Sequence, residues 1–544
     1  MRVLGINAVF HDPAAALVVD GRIVAAAEEE RFSRRKHGKQ AVAFSTWELP
    51  TQAARWCLAH GGVAASELDA VGYSYDPALA ELPEPIDGQD HAWEYLRTLY
   101  ARRAPQFLAS ALPGLDPGIV RHVRHHVAHA ASASLASPQP DSAVLVVDGR
   151  GETTSMLAGD YRDGKLDILA SQRLPHSLGL LYESLTEHLG FQRSSDEYKV
   201  MAMGSYGRPA YADRLRQLVY CGADGTFRTE PVDWTEFTAP RDPGETDLDP
   251  AHADLACSVQ RVLEEVLLEL VSWLRGRSGS DTLCLAGGVA LNCVANSRLY
   301  RGGQFRNVWV QPAAGDAGTA LGAALAVAAD LGEPISPMPS ASLGRGFADD
   351  EVEAILGAAD VAYERPDDIA VAVGDALADD KLVGWFQGRA EFGPRALGNR
   401  SLLADPRHAK NLERMNAVKG REQFRPVAPM VLAERASEIF SGGPLPSPYM
   451  LFVHDVDHRW RSRIPAVTHV DGTARIQTVD AGQPLLHRMI SHFASRTDVP
   501  VVVNTSFNTA GRPMVDSPRD ALECFGSSPI DVLALGPFLV RRHR

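Results

Sequence analysis

The chain has 544 residues, of which 45% are hydrophobic and 22% charged, and its formal net charge is −14. A length of this order asks for two or three domains, and a composition this balanced excludes a disordered or low-complexity chain. The acidic excess argues against a general nucleic-acid or anionic-membrane binder, while a local basic pocket stays compatible with it.

The opening residues, "MRVLGINAVFHDP", form a strand-like apolar run without the charged segment and cleavage site of a leader. No apolar run is long enough for a membrane span. The six cysteines (Cys57, Cys221, Cys257, Cys284, Cys293, Cys524) contain no CxxC pair, which points to buried thiols in a reducing compartment. A soluble cytoplasmic protein is the expectation.

In chain order, residues 2–8 read as a strand and 15–29 as a hairpin turning at Asp20-Gly21. Next comes "RHVRHHVAHAASAS" (121–134), with histidines at 122, 125, 126 and 129. Residues 142–172 then give a strand, a turn at Asp148-Gly149, a second strand, a hairpin at Asp163-Gly164 and a third strand. Two strand-plus-hairpin segments about 130 residues apart suggest a duplicated α/β core. Residues 254–276 carry apolar positions at helical spacing and stop at Gly276. Residues 281–301 and 308–330 each read as strand, glycine-rich turn and helix, a grammar that suits phosphate sites. The proline-spaced stretch 332–346 is the linker, so the boundary falls near 345. Beyond it a second α/β segment contains strands at 382–387 and 499–507. Ser517, Pro518 and Asp520 mark a helix start. "GDYRDGKL" (159–166) matches a phosphate-loop pattern only superficially: Leu166 replaces the required hydroxyl and the segment is a hairpin.

Four constellations carry chemistry. On a helix, residues four apart share a face, so His125 pairs with His129 or His122 with His126. With Asp148 at the end of a strand, two histidines and a carboxylate suit Fe(II) or zinc. The rival is a solvated helix with incidental histidines. Asp316, just before a helix, reads first as an N-cap and otherwise as a fourth ligand or a nucleotide contact. Arg389, Arg395, Arg400 and Arg407, followed by Lys419, Arg421 and Arg425, gather cations among Gly, Pro and Phe. In an acidic protein that favours a phosphate-binding cleft over a solvated charged face. Finally, "VVVNTSFN" (501–508) runs an apolar strand into Asn504, Thr505, Ser506 and Asn508, where ligands are often bound.

Taken together, these segments resemble the O-carbamoyltransferases that act on tobramycin, novobiocin and nodulation factors. The resemblance spans nearly the whole chain: residues 10–38, "HHVAHAASA", "VLVVDGRGE", "DEYKVMAMGSYG", "GGVALN", "DAGTALGAA", "GRAEFGPRALGNRS", "KGREQFRPVAP", "VTHVDGTARIQTV" and "NTSFN". It implies a duplicated actin/hexokinase-type (Kae1-like) domain over 1–345 and a YrdC-like α/β domain over 346–544. The second would join carbamoyl phosphate and ATP into carbamoyl-adenylate, releasing pyrophosphate and phosphate. The first would move the carbamoyl group to a hydroxyl of a small molecule, typically a natural product. The family pattern selects His125, His129, Asp148 and Asp316 as ligands of Fe2+ or another divalent metal, over His122 and His126. It gives His11 a part in deprotonating the acceptor and makes Lys419 and Arg425 catalytic. Arg395, Lys419, Arg425, Arg475, Asn504 and Ser506, with Gly287, Gly288 and Asn292, would hold the substrates, with Mg2+ as a further ion. A homodimer fits this picture; a membrane partner does not. The alternative of a threonylcarbamoyl-type tRNA-modifying enzyme shares both domain types, but the acidic balance speaks against it. The segment "KVMAMGSYG" departs from the family's KVMGLAPYG at Ala202, Gly204 and Ser205 among other positions, which bears on the local turn and acceptor contacts.

Overall fold

The computed structural model describes residues 1–38, 48–80, 91–139 and 141–542, without the side chains of 91–94. Two compact units divide at Ser340 and Ala341, a few residues before the expected boundary.

The first unit holds two sheets of the same design. Strands β1 (Arg2–Asn7), β2 (Ala14–Val19) and β3 (Arg22–Glu28) form an antiparallel meander, and β4 (Ala70–Tyr73) and β5 (Val120–His122) extend it in parallel from β1. Strands β6 (Ser142–Val147), β7 (Thr154–Arg162) and β8 (Lys165–Arg173) form a second meander, extended in parallel from β6 by β9 (Thr282–Ala286) and β10 (Asn307–Val310). Each sheet therefore has the order third–second–first–fourth–fifth. That identity is the duplication expected from the sequence, and it is the α/β arrangement of the actin/hexokinase type. The tight turns behave as their residues demand. Asp20 and Gly21 take φ of 48° and 70°, and Asp163 and Gly164 take 50° and 73°, the left-handed pair of a two-residue hairpin. The latter turn confirms that residues 159–166 are not a phosphate loop.

The helix Ala317–Asp330 is packed unusually close to its neighbours. A methyl on Gly322 would stand 1.7 Å from the Ala128 carbonyl oxygen, and one on Gly5 would stand 1.8 Å from that of Ala320. Glycine at those two positions is a packing requirement. Its consequence is functional: the helix is pressed against both β1 and the helix His125–Ser134, which brings Asp316 beside the histidines.

The second unit is built on a mixed seven-stranded sheet, in the order Gln477–Val479, Ala428–Leu432, Val501–Ser506, Arg400–Ala404, Val383–Phe386, Val532–Leu535 and Phe538–Arg541. Trp385, Phe493, Phe507 and Phe538 are fully buried in its core. The helix Pro518–Gly526 begins as expected, with the Ser517 hydroxyl accepting from Asp520 N–H and the Asp520 side chain returning the bond. No cysteine is in a disulfide, and no helix among the described residues is long and apolar enough to cross a membrane.

Candidate active site: two buried histidines and two carboxylates

The parallel strands of the first unit end on one side, and their ends carry the site. Residue Ser74 follows β4, His125 opens a helix just after β5, Asp148 follows β6, and Gly287-Gly288 follows β9. This is the usual place for a ligand in a parallel α/β sheet.

The helix starts at His125, whereas His122 ends β5. The pair His122/His126 is therefore not a helical pair, and the His122 ring instead meets the Ala101 carbonyl at 3.2 Å. His125 and His129 share one helical face and are fully buried. Their Nε2 atoms lie 3.4 and 3.5 Å from Asp148 Oδ2 and 3.5 Å each from Asp316 Oδ1. One ligand atom from each of the four residues falls within 4.8 Å of all the others.

Each member is oriented from behind. His125 Nδ1 donates to the Ser74 carbonyl at 3.2 Å, which leaves the Nε2 lone pair for the cluster. Asp148 turns its other oxygen to the Gly288 N–H at 2.9 Å. Gly287 makes this possible: it sits at φ 90°, and a methyl there would be 2.2 Å from the Val147 carbonyl oxygen. Asp316 makes no capping bond to its own helix, so the N-cap reading fails and its carboxylate is left facing the histidines. The Nε2 atoms of His125 and His129 are buried without a hydrogen-bond partner among the described residues. Unpaired buried ring nitrogens facing two carboxylates fit a divalent cation in both geometry and chemistry. Without one, burial disfavours the charged rings, but Asp148 and Asp316 outweigh it and hold His125 well above, and His129 above, the ordinary histidine range. His126 behaves differently. Burial, then the neighbouring His125, push it down to about 3; its Nδ1 is 2.7 Å from the Thr154 hydroxyl. Its Nε2 stands 3.9 Å from Asp148 Oδ2, so it borders the cluster.

His11 lies in a loop adjoining this site: its neighbour Phe10 packs edge-on against the His125 ring with centroids 5.1 Å apart. Asn292 lies at the start of a helix. Its side chain caps the helix Cys293–Arg301 and bonds Gln260, a supporting role.

In the second unit the expected cations separate into two groups. Arg400 is completely buried and donates to the carbonyls of Gln387, Gly388, Asn399 and Arg345, with its guanidinium 3.6 Å from the Phe386 ring centroid. Arg389 donates to the Leu343 and Gly344 carbonyls, Arg407 to Asp405, and Arg421 to Asn416. These four hold the fold together. Lys419, by contrast, reaches the end of the strand Val501–Ser506, donating to the Ser506 carbonyl at 2.6 Å, the Ser506 hydroxyl at 2.9 Å and the Asn508 amide oxygen. Asn504, on that strand, donates to Gln477 Oε1 at 2.9 Å, two residues past Arg475. The Arg475 guanidinium, partly buried, makes no hydrogen bond or ion pair to a described residue. Arg425 is 3.4 Å from Glu422. The structure thus joins Lys419, Ser506 and Asn508 in one network and Asn504 to Gln477.

Several residues of the first site gave no signal in the sequence. Ser74, Gly288 as a partner of Asp148, and Asp12 with His37 beside His11 come from segments whose spacing carries no periodic relation.

Comparison with known proteins agrees with this layout. The family model described as Carbamoyltransferase N-terminus matches residues 2–81 and 93–325, and the one described as Carbamoyltransferase C-terminus matches 374–542. An uncharacterized protein of Synechocystis is 40% identical over 99% of this chain and 96% of its own length. Nodulation protein NolNO of Sinorhizobium fredii is 38% identical over 98% of this chain and 80% of that protein. The 3'-hydroxymethylcephem-O-carbamoyltransferase of Amycolatopsis lactamdurans is 30% identical over 76% and 79%. Among solved structures, component A of (R)-2-hydroxyglutaryl-CoA dehydratase from Acidaminococcus fermentans overlays 60% of this chain and 96% of that one, at 14% identity and a TM-score of 0.34. With both units matched by their own family models, the chain belongs to the carbamoyltransferase family and is a transferase.

Proposed function

We propose that this enzyme is an ATP-dependent O-carbamoyltransferase that works by two half-reactions, one in each unit. The second unit, YrdC-like in this reading, joins carbamoyl phosphate and ATP into carbamoyl-adenylate and releases pyrophosphate and phosphate. The first unit passes the carbamoyl group to a hydroxyl of a small molecule. The observation that carries the reading is the set of His125, His129, Asp148 and Asp316: two orphaned ring nitrogens facing two carboxylates at 3.4–3.5 Å.

In the adenylate-forming unit, Lys419, Arg425 and Arg475 supply positive charge, and Asn504 and Ser506 add polar contacts to the substrates. Such charge offsets the repulsion between carbamoyl phosphate and the ATP phosphates. Arg395 contributes to the same surface in this reading, and a Mg2+ ion accompanies the ATP. In the transfer unit, His125, His129, Asp148 and Asp316 hold the divalent metal, Fe2+ or another ion with the same ligand taste. When bound, that ion supplies Lewis acidity to a carbonyl or phosphoryl oxygen. His11 takes the proton of the acceptor hydroxyl as its oxygen attacks the carbamoyl carbon, and AMP leaves with the electron pair of the broken C–O bond. Gly287-Gly288 fixes Asp148 from behind.

The test mixes the full chain with carbamoyl phosphate, ATP and pooled hydroxylated natural products. Pyrophosphate release and a carbamoyl mass increase in one or more alcohols are expected. An absence of pyrophosphate release with either half of the mixture complete would sink the reading.

A further inference from the structure

Next to the metal-type cluster the first unit holds another set of groups: His11, Asp12 and His37. Asp12 Oδ2 is 2.9 Å from His11 Nδ1, and Asp12 Oδ1 is 2.9 Å from His37 Nδ1. An ionised carboxylate only accepts, so both rings must direct an Nδ1–H at it. In a neutral ring the lone pair then resides on Nε2. For His37 that position is used: the Ser195 hydroxyl stands 3.0 Å from His37 Nε2. The His37 backbone N–H also donates to Glu30 at 2.8 Å, so His37 is anchored at both ring nitrogens and at its main chain.

The loop around this set is held in an unfavourable shape. Phe10, Asp12 and His37 all have positive φ, at 60°, 45° and 60°. Left-handed backbone at non-glycine residues costs free energy and persists only where surrounding contacts impose it. At residues 10–12 Asn7 holds it, donating to the His11 and Asp12 carbonyls at 2.8 and 3.0 Å. Asn7 in turn accepts from the Ser74 hydroxyl at 3.1 Å, and the Ser74 carbonyl is the group that orients His125. The loop carrying His11 and the ring of His125 are therefore tied to the same serine.

We propose that Asp12 and His37 are positioning residues for His11. Asp12 holds the His11 ring with its proton on Nδ1 and its lone pair on Nε2, and His37 restrains Asp12 and shares its charge. This rests on the reading of His11 as the group that accepts the hydroxyl proton. In that step the O–H bond breaks toward His11 Nε2 and an O–C bond forms to the carbamoyl carbon. The bond from that carbon to the adenylate oxygen breaks, and its electron pair leaves with AMP. Other ionisable groups facing His11 are Glu183 from the helix Leu178–His188 and Glu197 from the helix Glu197–Gly204; Arg193 lies 3.5 Å from Glu183. Glu30 stands behind His37.

The measurement is a histidine ring-nitrogen NMR titration of the full chain, with the His11 signal assigned by its loss in His11→Gln. Neutral His11 should be the Nδ1–H tautomer. Asp12→Asn removes a negative charge and should move the His11 midpoint down by about one unit. His37→Ala removes a competing donor from Asp12 and should move it up. His37→Gln, which still offers an N–H, should restore most of the wild-type midpoint. An Nε2–H tautomer, or a midpoint that neither Asp12→Asn nor His37→Ala moves while the other histidine signals stay in place, overturns the proposal. So does stoichiometric displacement of the His11 and His37 signals by added Zn2+, which would make the trio a metal site. If the NMR signature is as expected but His11→Gln carbamoylates the pooled alcohols at the wild-type rate, the positioning stands and the proton-accepting reading falls.

Discussion

The two units treat their polar groups in opposite ways. In the first, four side chains converge in a buried place and leave ring nitrogens without a hydrogen-bond partner among the described residues, a local cost that a bound cation would offset. In the second, most of the cations that cluster in the sequence are satisfied by the protein itself. Arg400 alone answers four backbone carbonyls. The difference teaches that a dense run of arginines reports local structure as readily as ligand binding, because a guanidinium is also a good partner for loop carbonyls. A buried histidine–carboxylate set whose facing ring nitrogens have no hydrogen-bond partner among the described residues fits a ligand better than a structural use.

That contrast can be broken by substitution, beginning with the largest effect. His129→Ala should strip the metal and reduce carbamoyl transfer well beyond the roughly 10–100-fold that altering a ligand's outer partner costs. It should leave pyrophosphate release intact; metal analysis beside a coupled pyrophosphate assay decides. Arg425→Ala should do the reverse, lowering pyrophosphate release by about 100-fold with metal content unchanged. If both variants lose the same half-reaction, the division of labour between the units is wrong.

Arg400→Met sharpens the comparison on the structural side. It should destabilise the second unit by roughly 3 kcal/mol, since it leaves buried carbonyls unpaired, whereas Arg425→Ala should barely change the denaturant midpoint. A stable Arg400→Met chain with lost pyrophosphate release would return Arg400 to the binding cleft.

The smallest effect concerns pH. Burial, then Glu183, push the Glu197 carboxyl up to about 7. The folded state then binds this proton more tightly than the unfolded chain does. The resulting stability is complete below the ordinary glutamate value and lost as pH rises from there toward 7. Glu197→Gln should flatten that decline by on the order of 1 kcal/mol, read from denaturation midpoints at pH 5 and pH 8. Equal slopes for the two chains would exclude a raised Glu197.

Much of the layout was legible before any coordinates. The paired strand–hairpin segments announced the duplication because a two-residue Asp-Gly turn leaves a local chemical mark at Asp20-Gly21 and Asp163-Gly164. The proline-rich stretch located the division between the units for the same reason: proline acts on the residues next to it. Helical spacing reduced the four histidines to two pairs, and a family resemblance chose His125 and His129 and added Asp148 and Asp316. Spacing could not make that choice, since it does not say where the helix begins. The backbone removes the other helical pair by keeping His122 in a strand.

The sequence by itself determined which residues were able to form strands, turns and helices, and which side chains carried ligand chemistry, since these follow from short-range sterics and residue type. Only the tertiary structure decided which of those side chains meet. Asp316 reaches His129 because Gly322 lets two helices touch, Asp148 is held by a glycine that follows a neighbouring strand, and Asp12 stands between His11 and His37 because Asn7 bends the loop. Each is a contact across the fold, set by close packing between segments far apart in the chain, and no local pattern records it.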